Sequence, residues 1–196
     1  MPFSTALTIL ALSLLARSPM ALAQTGRAIP DGRLISGTLS FDGHATAGDF
    51  VGKTATVSGQ LTGAADVTGV RGLVEAPVAT LKTGNGKRDK DLNKSMESDK
   101  FPVLRFEVAR VSRTGGTEDS LAVILHGALL IHGVTRNVDL PGTVQLTGST
   151  ARVRTDFPLN LKDYQIGGLS KMLGMLKMYE NIEVHTDLVF QLGPAH

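Results

Sequence analysis

The five histidines are the first side chains whose chemistry could matter, because imidazole is a common protein ligand for transition metals. His126 and His132 share a face if the chain is extended between them. Six residues at about 3.3 Å each would separate them by roughly 20 Å, too far for one ion. That face is predicted to be the outer one. His44 is predicted in another strand or its turn, and His185 is predicted on an outward strand face. We therefore predict solvated surface histidines and no metal site, with a surface patch for a transition ion as the alternative.

The sequence carries no convincing catalytic group. Cysteine is absent, which excludes a disulfide framework, a thiolate nucleophile and a thiolate metal site. No G-x-S-x-G elbow and no glycine-rich phosphate loop are present. Acid–base catalysis needs buried carboxylates, whereas the Asp and Glu residues fall at outward strand positions or in loops. We predict that the protein is not an enzyme and binds no cofactor.

The segment Thr83–Asp89 (TGNGKRD) is the most distinctive polar motif in the sequence. One interpretation is a glycine-rich turn that delivers a capped helix, with Arg88 and Asp89 fixing the turn through charge-assisted hydrogen bonds. The other is a rim that receives a polar head group.

Methionine is concentrated in two predicted helices. Met96 lies in one, and Met172, Met175 and Met178 lie within seven residues of the other. Unbranched, polarizable side chains adapt to variable ligands, but they also fill ordinary core. A helix over a barrel mouth would use its methionines both to contact a ligand and to pack against the barrel.

Alternation of apolar and polar residues with a period of two dominates the chain after about Leu34. Such alternation is typical of strands with one dry and one wet face. The segments predicted as strands are the alternation at Leu39 and Phe41, Lys53–Leu61, Leu104–Val108, Val153–Leu159 and Ile182–Phe190, with weaker candidates at Leu73–Leu81, Leu121–Ile131 and Val138–Leu146.

About eight such strands, separated by turn residues, predict an all-β, antiparallel protein with one or two short helices. The helices are predicted at Asp89–Ser98 and Ser170–Tyr179. A sandwich and a barrel both satisfy the pattern. The inward positions are assigned small residues, which favours a barrel with room inside. These residues are Ala55, Gly59, Ala76, Gly127 and Gly142.

The N-terminus has the form of a secretory signal peptide. Ala6–Ala16 is apolar and uncharged, and Ala21-Leu22-Ala23 fits an A-x-A cleavage site. We expect residues 1–23 to be removed, leaving Gln24–His196 as a single exported barrel domain. A formal net charge of +2, no Trp and two Tyr give no indication of a nucleic acid partner.

Several short strings resemble the YceI-like family of lipocalin-like, polyisoprenoid-binding proteins. In order along the chain they are Gly37–Phe41 (GTLSF), Gly48–Gly52 (GDFVG), Val78–Gly84 (VATLKTG) with Arg88–Asp89, Lys100–Phe106 (KFPVLRF), Leu125–Thr135 (LHGALLIHGVT), Leu159–Gly167 and Ile182–Phe190. Each string is weak alone, but their order and spacing are specific, and they span about Gly37 to Leu192.

The resemblance implies an extended antiparallel barrel of lipocalin type, enclosing a long isoprenoid such as a polyprenyl chain or isoprenoid quinone, in a periplasmic protein without enzymatic activity. The ligand-lining residues taken from it and from the inward pattern are Leu39, Phe41, Phe50, Val78, Phe106, Leu129, Ile131, Leu159, Met172, Met175, Leu176 and Val184.

Three functions remain open from the sequence. The first is a carrier or reservoir for an isoprenoid lipid. The second is an enzyme acting on such a lipid at the barrel mouth through Arg88, Asp89 or His44, and the third is a partner protein in envelope stress or respiration. Transient membrane contact and a homodimer are both compatible with the sequence.

Overall fold

The computed structural model describes residues 27–46, 48–167 and 178–193 and shows an antiparallel all-β fold. The predicted fold class is confirmed. The nine strands are β1 Gly32–Gly43, β2 Phe50–Thr54, β3 Ser58–Thr62, β4 Arg71–Pro77, β5 Val103–Gly116, β6 Ser120–Ile131, β7 Val134–Thr147, β8 Thr150–Asn160 and β9 Asn181–Leu192.

The sheet closes on itself because β1 pairs with β9. On its other edge β1 pairs with β2 near its C-terminal end and with β3 near its N-terminal end. Strands β2 and β3 therefore share one position in the wall, and the barrel has eight strand positions. The sequence pattern predicted one continuous strand over Lys53–Leu61, but the chain leaves the ladder at residues 55–57. Ala55 is exposed there, so its assignment to an inward position was wrong.

The helix α1 spans Gly86–Ser95, three residues earlier than predicted. Asn85 caps it by accepting hydrogen bonds from the backbone N–H groups of Lys87 and Arg88. Asp89 accepts from both the backbone N–H and the hydroxyl of Thr83, which lowers the pKa of its carboxyl. The segment Thr83–Asp89 is thus a turn that delivers a capped helix.

The second predicted helix lies largely outside the described residues, which omit residues 168–177. Of its last residues, Met178 forms an isolated bridge with Ala45, and Tyr179 donates its backbone N–H to the carbonyl of His44. Within the described part of the chain, no helix is both long and apolar enough to span a bilayer.

The strand connections divide the barrel into two ends. At one end, called the helix end, lie residues 44–46, 48–49, 78–102 with α1, the β6–β7 turn, and residues 161–167 and 178–180. At the other, called the turn end, lie residues 27–31, residues 63–70 and the short β5–β6 and β7–β8 turns. The inward side chains of all strands form one apolar core between them.

The β6–β7 turn at the helix end consists of His132 and Gly133, both with positive φ (51° and 74°). Two central residues with positive φ define a type I′ turn, the form that matches the twist of a hairpin. A β-carbon added at Gly133 would also lie against the Phe101 ring, closer than real contacts allow.

Replacing Gly133 with alanine should therefore destabilise the protein. The strained φ and the collision with Phe101 together predict a loss of about 1–3 kcal/mol in the free energy of unfolding, measured in urea. Gly148 offers a matched control, because its φ is also positive (56°) but a β-carbon there meets no atom within 4 Å. Equal losses at both positions would show that the Phe101 contact contributes nothing.

Polar side chains on the outer face link neighbouring strands. His185 on β9 contacts Asp156 on β8 (Nδ1–Oδ1 2.6 Å) and Asp42 on β1 (Nε2–Oδ2 3.3 Å). The hydrogen bond to Asp156, with a further contribution from Asp42, raises the pKa of His185 above its usual value.

This raised pKa predicts a pH-dependent stability. The contribution of protonated His185 is fully present below the unfolded pKa of about 6.5 and is lost as pH rises through the higher folded value. Because the site is partly exposed, we expect less than about 1 kcal/mol. Urea unfolding at about pH 5.5 and 8.5 should show this difference in the wild type and not in His185→Gln. An identical pH response in both would contradict the assignment.

Candidate ligand-binding cavity

The barrel encloses a cavity of about 210 Å³ with an almost wholly apolar lining. It reaches from Ile29 and Val70 at the turn end to Leu92 and Met96 of α1 at the helix end. Between them the wall presents mainly Val, Leu, Ile and Phe side chains from strands β1 and β3 to β9. The cavity therefore runs along the barrel, and α1 covers its helix end.

The inward glycines do not create this space, contrary to the prediction. A β-carbon at Gly59 would meet Val74 and Phe190, and one at Gly127 would meet the Phe106 ring and the backbone of Glu107. A β-carbon at Gly142 would likewise meet the backbone of Arg154, so neighbouring atoms already occupy the room that these glycines leave. Ala76, in contrast, does border the cavity. The open volume lies instead beside inward apolar residues that are only partly buried, namely Leu39, Val57, Val74, Leu104, Phe106 and Val153.

Seven of the twelve predicted ligand-lining residues border the cavity. They are Leu39, Phe41, Phe106, Leu129, Ile131, Leu159 and Val184. Val78 does not; it is completely buried in a 3₁₀ turn after β4. Phe50 lies beside the lining, and Met172, Met175 and Leu176 lie outside the described residues.

Several lining residues were not predicted as ligand contacts. Val74, Val108 and Leu125 lie on the inward face of strands that the sequence located, so extending the alternation would have found them. Val57 was found as an apolar alternating residue, but the break after β2 hid its orientation. Phe157 and Phe190 alternate correctly and could have been added by the same reasoning.

Phe41, Phe50 and Arg88 connect the cavity to the helix end. Phe41 lines the cavity and meets Phe50 edge to face, with ring centroids 6.1 Å apart. The guanidinium of Arg88 stacks on Phe50, with its Cζ 4.2 Å from the ring centroid. This cation–π contact places a positive charge directly outside an aromatic rim.

His132 joins three connections at the helix end. Its Nε2 lies 2.8 Å from Glu97 Oε2, just after α1, and its Nδ1 lies 3.1 Å from the carbonyl oxygen of Tyr164. The ring also packs against Phe101, with centroids 4.6 Å apart. The prediction of a solvated strand histidine was wrong here, because His132 is 9% exposed and sits in a turn.

The connection after β8 closes a gap in the wall. Strand β7 pairs with β8 only from Gly142 onward, and a 3₁₀ turn at Leu161–Tyr164 covers the opening. Arg136 on β7 donates to the carbonyl of Asp163, and the buried ring of Tyr164 lies near its guanidinium. Burial raises the pKa of the Tyr164 phenol, so it stays neutral and suited to this packing.

His126 belongs to an outer-face network that pins three strands. Its Nε2 lies 2.8 Å from Ser112 Oγ on β5, and its Nδ1 lies 2.6 Å from Asp139 Oδ1 on β7. The order of contacts is that of a Ser–His–Asp triad. However, the Asp139 side chain is 71% exposed, so water screens the pair, and the group faces away from the apolar cavity. Among the described residues, no cluster of His, Asp and Glu could hold a metal ion.

Comparisons with solved structures agree with this architecture. A polyisoprenoid-binding domain from Saccharophagus degradans, implicated in plant cell wall breakdown, is 16% identical with a TM-score of 0.70 and covers 84% of this chain and 99% of its own. BcnA from Burkholderia cenocepacia is 18% identical with a TM-score of 0.67, covering 78% and 95%. At these identities the likeness shows the fold alone.

Sequence comparison establishes the family. A search of curated proteins gave no significant match. The sequence model of the YceI-like domain, by contrast, matches residues 36–190, which contain all nine strands except the ends of β1 and β9. The closed barrel, its apolar cavity and this match together show that the chain belongs to the YceI-like family.

Proposed function

We propose that the protein is exported to the periplasm and there carries or stores a long-chain isoprenoid lipid inside the barrel. The observation that carries this proposal is the elongated apolar cavity, which offers almost no polar anchor along its length. The Saccharophagus degradans relative, whose fold this chain shares, is described as polyisoprenoid-binding, and this supports the ligand class.

The energetics of such a cavity suit a hydrocarbon chain. Each CH₂ group moved from water into an apolar site contributes about 0.8 kcal/mol. A narrow prenyl chain can therefore bind along the lumen through its length alone. Phe41 and Phe157 supply aromatic surface and Leu129, Ile131 and Val184 supply branched side chains, which complement an isoprenoid's own methyl branches.

Export is supported by the N-terminal segment. Its apolar stretch Ala6–Ala16 is followed by a cleavage pattern at Ala21–Ala23, as in secreted precursors. The mature protein would then begin at Gln24 and meet lipids in the cell envelope.

Extraction of the native protein tests this function. The full chain is expressed in a Gram-negative host, purified from the periplasm without detergent, extracted with organic solvent and analysed by mass spectrometry. We expect a prenyl lipid near one per chain and an N-terminus at Gln24. Absence of lipid, together with no uptake of an added isoprenoid quinone, would overturn the carrier proposal. Retention of the full-length chain in the cytoplasm would overturn export.

A further inference from the structure

The lysines of this protein are segregated to one end of the barrel. All seven lysines within the described residues belong to the helix end or to the strand positions beside it: Lys53, Lys82, Lys87, Lys90, Lys94, Lys100 and Lys162. Of the described arginines, Arg88, Arg105 and Arg136 lie at or beside the helix end, and the others lie farther along the strands or near the turn end. The described lysines are therefore concentrated at the helix end, whereas the arginines are spread over the whole barrel.

The two kinds of cation also differ in their partners. Five of the ten described arginines form ion pairs with acids of the walls and turns, as in Arg105 with Glu75 and Arg152 with Asp187. In the described part of the chain, Lys162 with Glu180 is the only lysine ion pair. Arginine's planar fork suits fixed carboxylate partners, whereas a lysine ammonium is a compact, mobile charge. Half of the described arginines thus link strands and turns, whereas all described lysines except Lys162 form no ion pair with a described residue.

The helix α1 presents three of these lysines as one stripe. Lys87, Lys90 and Lys94 follow the i, i+3, i+7 spacing of a single helical face, and all three are exposed. Leu92 and Met96 border the cavity from the other side of the same segment. The cavity and the row of positively charged lysines thus lie on opposite faces of the α1 segment.

No described acid at this end forms an ion pair with that stripe. Glu97 contacts His132, Asp89 accepts hydrogen bonds from Thr83, and Asp163 pairs with Arg136. Asp49 pairs with His44, and Glu180 pairs with Lys162. Asp91 and Asp99 make no ion pair with any described residue, but neither does any lysine of the stripe. Since Asp91 is partly buried and the three lysines are exposed, the outermost charge of α1 is positive.

We propose that the helix end docks on an anionic phospholipid bilayer through Lys87, Lys90 and Lys94. A basic group near an anionic membrane surface contributes about 1 kcal/mol, and several on one face act together. Docking by this end brings α1, which covers the cavity, against the lipid phase. That this docking serves lipid transfer rests on the proposed carrier function. The attraction between the three lysines and an anionic bilayer does not depend on that function.

Vesicle sedimentation tests the docking surface. The protein purified from the periplasm is mixed with vesicles of about equal parts phosphatidylglycerol and phosphatidylethanolamine, and with phosphatidylcholine vesicles, at low and high salt. We expect binding to the anionic vesicles only, weakened by salt. Replacing Lys87, Lys90 and Lys94 together with glutamine, which retains helix propensity, should weaken partitioning by at least about tenfold.

A charge-matched control separates position from net charge. Replacing Arg33, Arg71 and Arg110, which are exposed and form no ion pair with any described residue, with glutamine removes the same charge from the turn end and the side wall and should change partitioning by less than about twofold. Equal losses in both variants, or wild-type binding by the lysine variant, would overturn docking through α1. If extraction finds no prenyl lipid while vesicle binding still requires the three lysines, the carrier proposal fails and docking stands.

Discussion

Replacing Val153 with tryptophan is expected to expel much of the bound lipid while the barrel stays folded. Val153 points inward near the middle of β8, lines the cavity and is only partly buried, so it borders open space. An indole there would occupy part of the lumen that a ligand needs. If it displaces about three CH₂ groups of ligand at about 0.8 kcal/mol each, affinity should fall about 50-fold.

The measurement is the amount of isoprenoid quinone that each purified variant takes up at limiting ligand concentration. Thr143→Trp is the matched control, because Thr143 lies on the neighbouring strand β7, is exposed and pairs with Arg154 on the outer face. Its uptake should equal that of the wild type. Unchanged binding by a folded Val153→Trp protein would show that the lipid does not occupy this part of the barrel.

Replacing Phe190 with alanine is expected to produce the largest loss of stability. Phe190 is 1% exposed, lies on β9 in the closing part of the sheet and packs near the backbone of Gly59. Truncation of a buried Phe to Ala costs about 3–5 kcal/mol, because transferred surface is lost and a void remains. That is a large fraction of the stability of an ordinary domain.

Urea unfolding of the lipid-free protein measures this effect. Phe190→Leu keeps most of the buried volume and should lose only on the order of 1 kcal/mol. A loss below about 1 kcal/mol for Phe190→Ala would mean that neighbouring side chains collapse into the void and that the barrel interior is more plastic than its packing indicates.

The alternation of residues predicted most of the strands because each barrel wall has one dry and one wet face. The alternation failed to predict strand segments where the pairing register between neighbouring strands shifts. Strand β5 shifts register between Val108 and Arg110 and again between Arg113 and Gly115, so its inward parity changes and its second half escaped prediction. Strand β1 shifts in the same way around Ile35, which hid the segment before Thr38.

The candidate site was predictable where inward parity was continuous, as at Phe106 on β5 and at Leu129 and Ile131 on β6. It was not predictable in the connections. Val78 lies in a 3₁₀ turn, and its apolar side chain is buried at the helix end without bordering the cavity. The position of His132 depends on Glu97 and Tyr164, which lie 35 and 32 residues away, and no local pattern encodes such a meeting.

The pairing of β1 with β9 has a consequence for how the protein folds. Ten residue pairs join the first strand to the last, so the barrel cannot close until the C-terminal strand is available. Pairings of such long sequence separation fold slowly, since the chain entropy is lost before the contacts form. Until the barrel closes, β1 and β9 each have one unpaired edge, and these edges can pair with strand edges of other chains. A chain that must be complete before its barrel closes therefore keeps both of these edges exposed while it folds, and its folding yield should depend on how well they are protected in the interval.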